Sequence, residues 1–124
     1  MPGKKQPDIL PPGYIFTTTA VYVPFFSGDW LSSTKVQAMS MAERETYLWL
    51  LIHQYNDRTC TLPYNIKALS GFHYVQSQCL NDIVLSNFVV ESHRMWNAKL
   101  YSHKVHAETQ KRKGERAAHA RWNA

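Results

Sequence analysis

Basic side chains are concentrated at the C-terminal end of this 124-residue chain. Residues 103–124 carry six basic and two acidic side chains, a net charge of +4, whereas residues 9–102 carry six of each and cancel. A cationic end on a neutral body attracts polyanions at long range, and each phosphate that it neutralises releases counterions. A solubilising terminal helix is the alternative, because runs of charge are commonly solvated. The candidate phosphate ligands of this tail are Lys104, Lys111, Arg112, Lys113, Arg116 and Arg121.

A second candidate site consists of polar side chains in the middle of the chain. Gln and Asn can each form two hydrogen bonds with adenine in the major groove. No Lys or Arg lies between Lys67 and Arg94, and Asp82 falls within this stretch, so a solvated face or a protein-contact face is an equal alternative to base reading. The candidate base-reading residues are Tyr74, Ser77, Gln78 and Asn81, with Lys67, His93 and Arg94 as phosphate anchors.

Patterns for catalysis and metal binding are missing from the sequence. It has no GxxxxGK[ST], GxSxG or HExxH motif and its carboxylates are scattered singly, so we expect no enzyme and no cofactor. His103 and His106 share a predicted helical face, but no cysteine or close pair of carboxylates completes a zinc site. Cys60 and Cys79 are not spaced as in a zinc ribbon or a disulfide scaffold. Without a signal peptide or a long apolar run, we expect a cytoplasmic protein with no membrane partner.

Helices must position these side chains. Ser40 and Glu43 have the spacing of a capping box, which predicts that the central helix of the core begins there and continues to about Asn56. A short second helix is expected over residues 64–70. Gly71, in the left-handed conformation, would end it.

A third helix and a hairpin are predicted to follow. Apolar residues recur every three or four positions over residues 73–85, which indicates a helix that presents the candidate base-reading residues on its outer face. Residues 88–90 and 95–96 predict two short strands joined by a turn. Three helices followed by a hairpin is the order of a winged helix-turn-helix, whose third helix enters the major groove. Helix formers resume from Asn97, and beyond Glu108 we expect a frayed helix or a disordered tail, because no apolar face continues.

The N-terminal region is predicted to be extended. Four of the six prolines fall within the first 13 residues, which is typical of a mobile leader. Residues 14–26 are rich in aromatic and β-branched residues, which favours one or two short strands interrupted at Pro24. Ser27–Leu31 predicts a turn into a short helix, with Trp30 as an anchor in the core. We therefore expect an arm over residues 1–20, one domain over residues 21–102 and a basic helix or tail over residues 103–124.

Four stretches of the sequence resemble a known family. They are Val23-Pro24-Phe25-Phe26-Ser27-Gly28-Asp29-Trp30-Leu31, the helix from Met41 to Ile52, Leu62-Pro63, and the ending from Gly114 to Trp122. The family occurs in phages and prophages, as a domain of formally unknown function and as the N-terminal domain of replication organisers. The resemblance spans about residues 22–122 and implies a mainly α fold, a winged helix-turn-helix with three core helices, a β-hairpin wing and a basic C-terminal helix or tail. It also implies binding of origin DNA during the initiation of DNA replication, and contact with the replicative helicase or another replisome protein.

Three hypotheses for the function follow from the sequence. The first is a DNA-binding protein of a phage or prophage, associated with the initiation of replication. The second is a protein-interaction module, whose apolar N-terminal arm and exposed Tyr74 or Trp122 dock a replisome or host protein. The third is a transcriptional regulator, because one fold serves several functions. The sequence leaves open the choice between duplex and single-stranded DNA, the recognised sequence and whether the chain forms a homo-oligomer.

Overall fold

A computed structural model describes residues 13–18 and 22–122 of the chain. This described part is mainly helical, with 58% of its residues in helices, and has a small three-stranded antiparallel sheet. The helices are α1 (Ser27–Ser32), α2 (Thr34–Gln37), α3 (Met41–Asn56), α4 (Ile66–Leu69), α5 (Asp82–Leu85) and α6 (Ala98–Trp122). The strands are β1 (Leu62–Pro63), β2 (Val89–Glu91) and β3 (Arg94–Trp96), and a 3-10 turn spans Ser77–Cys79. Among the described helices, none combines the length and the apolar character needed to cross a bilayer.

Helix α3 has the predicted bounds and lies at the centre of the core. The Ser40 hydroxyl accepts a hydrogen bond from the Glu43 backbone at 3.1 Å, and the Glu43 carboxylate accepts one from the Ser40 backbone at 2.8 Å. This reciprocal capping box confirms the predicted start of the helix. Leu50 is completely buried, and Tyr47 makes an edge-to-face contact with Phe88. The helix therefore packs against the segment that leads into the sheet.

The predicted hairpin is confirmed, and a third strand extends it. Strand β3 pairs with β2, where Val90 faces Met95, and with β1, where Leu62 faces the same Met95 from the other side. The strand order is β1-β3-β2, and both pairings are antiparallel. Ser92 and His93 form the hairpin turn with positive φ angles of 51° and 66°, the conformation that tight two-residue hairpin turns require. His93 is therefore exposed at the tip of the hairpin.

Helix α4 is shorter than the helix predicted over residues 64–70. The Asn65 side chain caps it by accepting a hydrogen bond from the backbone of Ala68 at 2.9 Å. Ser70 ends the helix with a φ of −66°, in the right-handed region. Gly71 does not have a positive φ, so the predicted left-handed cap at this glycine is wrong.

The third helix predicted over residues 73–85 is also wrong. Turns, the 3-10 turn and the four-residue helix α5 occupy this range instead. Tyr74 has a left-handed φ of 67°, which interrupts any helix. The Asn81 side chain then accepts a hydrogen bond from the Val84 backbone at 3.2 Å and so starts α5. The apolar residues of the range are still largely buried, because turns can bring residues three and four apart to the same side.

Helix α1 joins α3 to α6. Trp30 is half-buried and stacks on Tyr47 of α3, with ring centroids 5.5 Å apart and planes at 10°, so its predicted role as an anchor is confirmed. Asp29 forms an ion pair with Lys99 of α6, whose ammonium also lies 4.7 Å from the centre of the Phe26 ring. The segment that carries the family resemblance therefore has a packing role here.

The segment before α1 is extended but forms no strand in its described parts, residues 14–18 and 22–26. Phe16 is buried beside Tyr101 of α6, with ring centroids 5.8 Å apart, and its backbone donates to the Arg58 carbonyl at 2.8 Å. The strands predicted over residues 14–26 are therefore wrong for the described residues. Residues 1–12 of the predicted leader lie outside the described residues. Residues 19–21 of the predicted strand region lie outside them as well.

Helix α6 has two dissimilar halves. Its first half packs on the body through Leu100, Tyr101, Lys104, Val105 and Glu108. From Gln110 onwards every described side chain is exposed except the half-buried Ala118. The helix nevertheless continues to Trp122, so the region beyond Glu108 is helical in this structure rather than a disordered tail.

Candidate nucleic-acid interface

The four predicted base-reading residues do not share a helical face. Tyr74, Ser77 and Gln78 are exposed, but they lie in a turn and in the 3-10 turn. Tyr74 stacks on Trp49, with ring centroids 4.4 Å apart. Asn81 caps α5 and donates to an α3 carboxylate at 2.7 Å, so its side chain has a structural role. The expected row of side chains along one recognition helix is therefore wrong.

The structure brings Lys67 and His93 together at one shallow groove. The Tyr64 backbone donates to the His93 carbonyl at 2.8 Å, which holds the hairpin turn beside α4. Both predicted anchors are exposed. An ammonium and an imidazole at one groove can each donate a hydrogen bond to a phosphate oxygen. The groove has a volume of about 510 Å³ and is lined by Pro63, Tyr64, Asn65, Lys67, Ala68 and His93.

Arg94 is turned towards its own body. Its guanidinium donates to the Thr61 hydroxyl at 3.0 Å and to the Thr61 carbonyl at 3.3 Å. It also lies 3.5 Å from the Thr59 hydroxyl and 3.8 Å from the Asp57 carboxylate. These contacts fasten β3 to the loop after α3, so the side chain is committed to the fold and is not presented as the predicted phosphate anchor.

Lys104 is buried, with a relative exposure of 2%. Its ammonium donates to the Tyr55 carbonyl and, at 3.2 Å, to the Asp57 carbonyl. These carbonyls lie at the C-terminal end of α3, where a cation stabilises the helix dipole. Burial lowers the pKa of Lys104. Its prediction as a phosphate ligand is wrong in this structure, because the ammonium is occupied inside the protein.

Glu108 was missed as a functional residue, and it is fully buried. Its carboxylate accepts hydrogen bonds from the Tyr14 hydroxyl at 2.9 Å and from the hydroxyls of Thr17 and Thr18 at 2.8 and 2.6 Å. The backbones of both threonines donate as well, at 3.1 and 2.9 Å. Burial raises the pKa of Glu108, but these hydrogen bonds outweigh burial and lower the pKa to about 2. The position of Glu108 four residues after Lys104 could have placed both on the side of α6 that faces the body.

Lys111 and Arg112 are exposed but already have partners. The Lys111 ammonium donates to the Thr17 carbonyl at 3.1 Å and to the Thr17 hydroxyl at 3.0 Å. Arg112 donates to the Tyr14 hydroxyl, and its guanidinium carbon lies 5.0 Å from the centre of the Tyr14 ring. It also lies 3.7 Å from the Glu108 carboxylate. Both cations therefore help to hold the N-terminal segment against α6.

The three remaining cations of the predicted set, Lys113, Arg116 and Arg121, are exposed. Within the described residues they form no hydrogen bond or ion pair. A helix turns by about 100° per residue, so the three side chains leave α6 within an arc of about 140°. By the same geometry Lys113 and Arg121 point away from the side of α6 that packs on the body, whereas Arg116 leaves the helix about 20° from the direction of Val105, at the edge of that side but beyond the packed half. We call Lys113, Arg116 and Arg121 the outward cationic face.

Comparison with known proteins adds no relative. No family model matches the sequence, and searches of the curated proteins and of the solved structures found no match. The described residues also contain no group of three His, Cys, Asp or Glu side chains that could hold a metal ion. His103 instead lies 3.0 Å from the Tyr55 hydroxyl. The interpretation of the interface therefore depends on its geometry and charge.

Proposed function

We propose that this chain is a winged-helix DNA-binding protein that acts in the initiation of phage or prophage DNA replication. Support for the fold comes from the order α3, β1, α4, α5 and hairpin, with strands in the order β1-β3-β2. In a winged helix, the helices and the hairpin wing follow one another in this way. Support for the role in replication comes from the resemblance of residues 22–122 to the phage family.

The observation that carries the proposal is the outward cationic face. Its three cations are exposed within one arc of the C-terminal half of α6 and have no hydrogen-bond or ion-pair partner in the described part of the chain. Phosphate contacts of this kind give affinity without sequence preference, and they release counterions when they form. The helix therefore supplies a general attraction for nucleic acid.

A second contact would come from the groove that Lys67 and His93 share. This groove lies beside the hairpin turn, so a duplex that reaches it would meet the wing. Base reading by α5 is weak in this arrangement, because the helix has four residues and begins with Asp82. We therefore expect binding that depends strongly on salt and only slightly on sequence.

The experiment that tests the proposal is a salt titration of DNA binding. The variant Lys113→Gln/Arg116→Gln/Arg121→Gln removes the outward cationic face. The control Lys35→Gln/Arg58→Gln/Lys99→Gln removes the same charge from exposed positions of the body. Binding to a labelled duplex and to a single strand of equal length is followed by fluorescence anisotropy between 50 and 200 mM salt, the range in which counterion release has large effects, about 10³–10⁵ in affinity for six to ten contacts.

We expect the outward-face variant to bind more weakly than the control and to lose about 0.9 of the logarithmic salt slope on duplex DNA for each phosphate contact removed. The control should keep the slope of the wild type, because its three positions lie outside the proposed phosphate contacts. Equal slopes for the two variants would mean that the helix does not contact phosphate, and the proposal would then fail.

The exposure of two aromatic side chains favours a second candidate, a protein-docking module. Trp122 is 87% exposed at the end of α6, and Tyr74 is 66% exposed above Trp49. Aromatic side chains of this kind are common anchors in protein interfaces. If the chain binds no DNA at 50 mM salt, this candidate is favoured over the first.

A further inference from the structure

Residues 14–18 are bound to α6 mainly by hydrogen bonds, and most of these bonds are to one carboxylate. Glu108 receives the hydroxyls of Tyr14, Thr17 and Thr18 and the backbone N–H groups of both threonines, at distances of 2.6–3.1 Å. Only Phe16 adds a buried apolar contact from the segment, 6% exposed against Tyr101. The attachment of the segment is therefore mainly polar and is centred on Glu108.

The same segment occupies two cations of α6. The Lys111 ammonium bonds to two oxygens of Thr17, and the Arg112 guanidinium bonds to the Tyr14 hydroxyl and lies over its ring. The N–H groups that point at the segment become available to a phosphate only when the phosphate takes the place of those oxygens, although each cation has further donors. The segment and a phosphate backbone therefore compete for the same donors.

We propose that residues 14–18 are an internal competitor of nucleic acid, which occupies Lys111 and Arg112 while it is bound to Glu108 and adds both cations to the binding surface when it leaves. This inference rests on the proposed function, because it takes nucleic acid as the partner of α6. Lys111 and Arg112 lie on the side of the helix that faces the segment, whereas Lys113 and Arg121 lie on the other side, and Arg116 is next to Arg112, one turn further along. Release would therefore extend the cationic surface around most of the helix.

The geometry makes Glu108 the residue that controls release. In Glu108→Gln one of the two carboxylate oxygens becomes an NH₂ group, so at least two of the five donors lose their acceptor and the others lose its negative charge, and unpaired donors are costly. Lys111 and Arg112 would still donate to hydroxyls and one carbonyl of the segment. They offer no acceptor for the N–H and O–H groups of the segment. Glu115, on the same helix and exposed, pairs with Lys111 at 3.9 Å and contributes little, as exposed ion pairs do.

The test compares Glu108→Gln with Glu115→Gln in the full chain. Both variants remove one negative charge from α6, so a difference between them reports the segment and not the net charge. Three quantities are measured: hydrogen exchange at the Thr17 and Thr18 amides, the rate at which an amine-acylating reagent modifies Lys111 relative to Lys113, and the salt dependence of duplex binding.

For Glu108→Gln we expect amide exchange at least about tenfold faster than in the wild type, since both amides lose a charged hydrogen-bond acceptor. The ratio of Lys111 to Lys113 acylation should rise several-fold. Duplex binding should be tighter than for Glu115→Gln, with a logarithmic salt slope steeper by up to about 2, or 0.9 per added contact. Glu115→Gln should match the wild type in the first two measurements.

A second variant, Tyr14→Phe/Thr17→Val/Thr18→Val, keeps every charge and nearly the same shape while it removes the three hydroxyl donors. It should change all three quantities in the same direction as Glu108→Gln. The inference is overturned if Lys111 is acylated no faster in variants whose Thr17 and Thr18 amides exchange freely. It is also overturned if those variants bind duplex as Glu115→Gln does, because the segment then does not compete.

The failure of the inference can be told apart from the failure of the proposed function. If the proposed function is wrong, no variant binds duplex, or the outward-face variant binds as tightly as its control, and both proposals are then overturned. If only the inference is wrong, every variant binds with the same dependence on the outward cationic face, whether or not the segment is released.

Discussion

The two halves of α6 carry the same kinds of charge but use them differently. In residues 98–108, Lys104 and Glu108 are buried and bonded to other parts of the chain. In residues 109–122, the cations are exposed, and Lys113 contacts no described residue through hydrogen bonds or ion pairs. One helix therefore contains both charges that hold the protein together and charges available to a partner.

The position of a charge around the helix therefore decides its role. Lys104 lies on the side that packs on the body, four residues after Leu100 and four before Glu108. Lys113 lies on the opposite side. A count of basic residues over 103–124 treats the two lysines as equal, whereas the helical register separates them.

The largest difference between the two halves of α6 is expected on replacing Lys104. Replacing Lys104 with Met leaves the Tyr55 and Asp57 carbonyls without their buried donor, at a cost of about 1–3 kcal/mol for each unsatisfied group. We expect the free energy of unfolding to fall by about 3 kcal/mol in all. Lys113→Met should change it by less than about 0.5 kcal/mol, as most surface substitutions do. Urea unfolding of both variants measures the difference, and equal losses would contradict the division of α6 into two halves.

The two halves of α6 should also differ in how their carboxylates affect stability at low pH, and Glu108 is the buried one. Hydrogen bonds lower the pKa of Glu108 to about 2 in the folded protein, from an ordinary value of 4.5. The stability that it contributes is therefore fully present above about pH 4.5 and is lost as the pH falls towards 2. We expect Glu108→Gln to be less stable than the wild type at neutral pH, by about 2 kcal/mol, and to lose less stability on acidification.

The control for that prediction is the exposed carboxylate of the other half, Glu115. Glu115→Gln should unfold as the wild type does from neutral pH down to pH 2, because its side chain is exposed and its only described ion pair is a distant one with Lys111. Thermal unfolding followed by circular dichroism at several pH values compares the three proteins. An acid dependence that survives in Glu108→Gln would assign it to other carboxylates.

The smallest effect is expected at Gly114, in the exposed half. A Cβ added there meets no atom within 4 Å, and glycine inside a helix costs about 0.5–1 kcal/mol relative to alanine. Gly114→Ala should therefore increase the helical signal at 222 nm while the midpoint of urea unfolding stays unchanged. A shift of the midpoint would mean that the exposed half is coupled to the folding of the body.

Local signals in the sequence predicted several elements correctly. The capping box of Ser40 and Glu43 involves side chains three positions apart, so it depends on nothing distant. The hairpin around Ser92 and His93 is equally local, since two apolar runs and a short polar turn define it. Elements of this kind can be predicted because their stabilising contacts lie within a few residues.

The errors came from elements whose contacts are distant along the chain. Residues 73–85 have helical spacing, but Tyr74 has a left-handed backbone and stacks on Trp49 of α3, and Asn81 donates to an α3 carboxylate 38 positions earlier. Residues 14–18 resemble a strand, but their backbone donors bind the carboxylate of Glu108, about ninety positions away along the chain. No local pattern indicates such a partner.

The part of the candidate site that was predicted correctly is likewise the part that depends on no distant contact. The cationic character of the C-terminal end needs only a count of charges, and Lys113, Arg116 and Arg121 are indeed exposed. The burial of Lys104 depends on the carbonyls at the end of α3, nearly fifty positions earlier. Its signal was the register it shares with Leu100 and Glu108, which marks one side of the helix.

The exposed half of α6 also has a definite reach. A helix rises about 1.5 Å per residue, so residues 109–122 form a rod roughly 20 Å long, and Lys113 and Arg121 are separated by roughly 12 Å along its axis. The major groove of DNA is about 12 Å wide. The axial separation of Lys113 and Arg121 therefore matches the width of one groove, so a helix laid across the groove would bring these two cations to phosphates on its opposite rims.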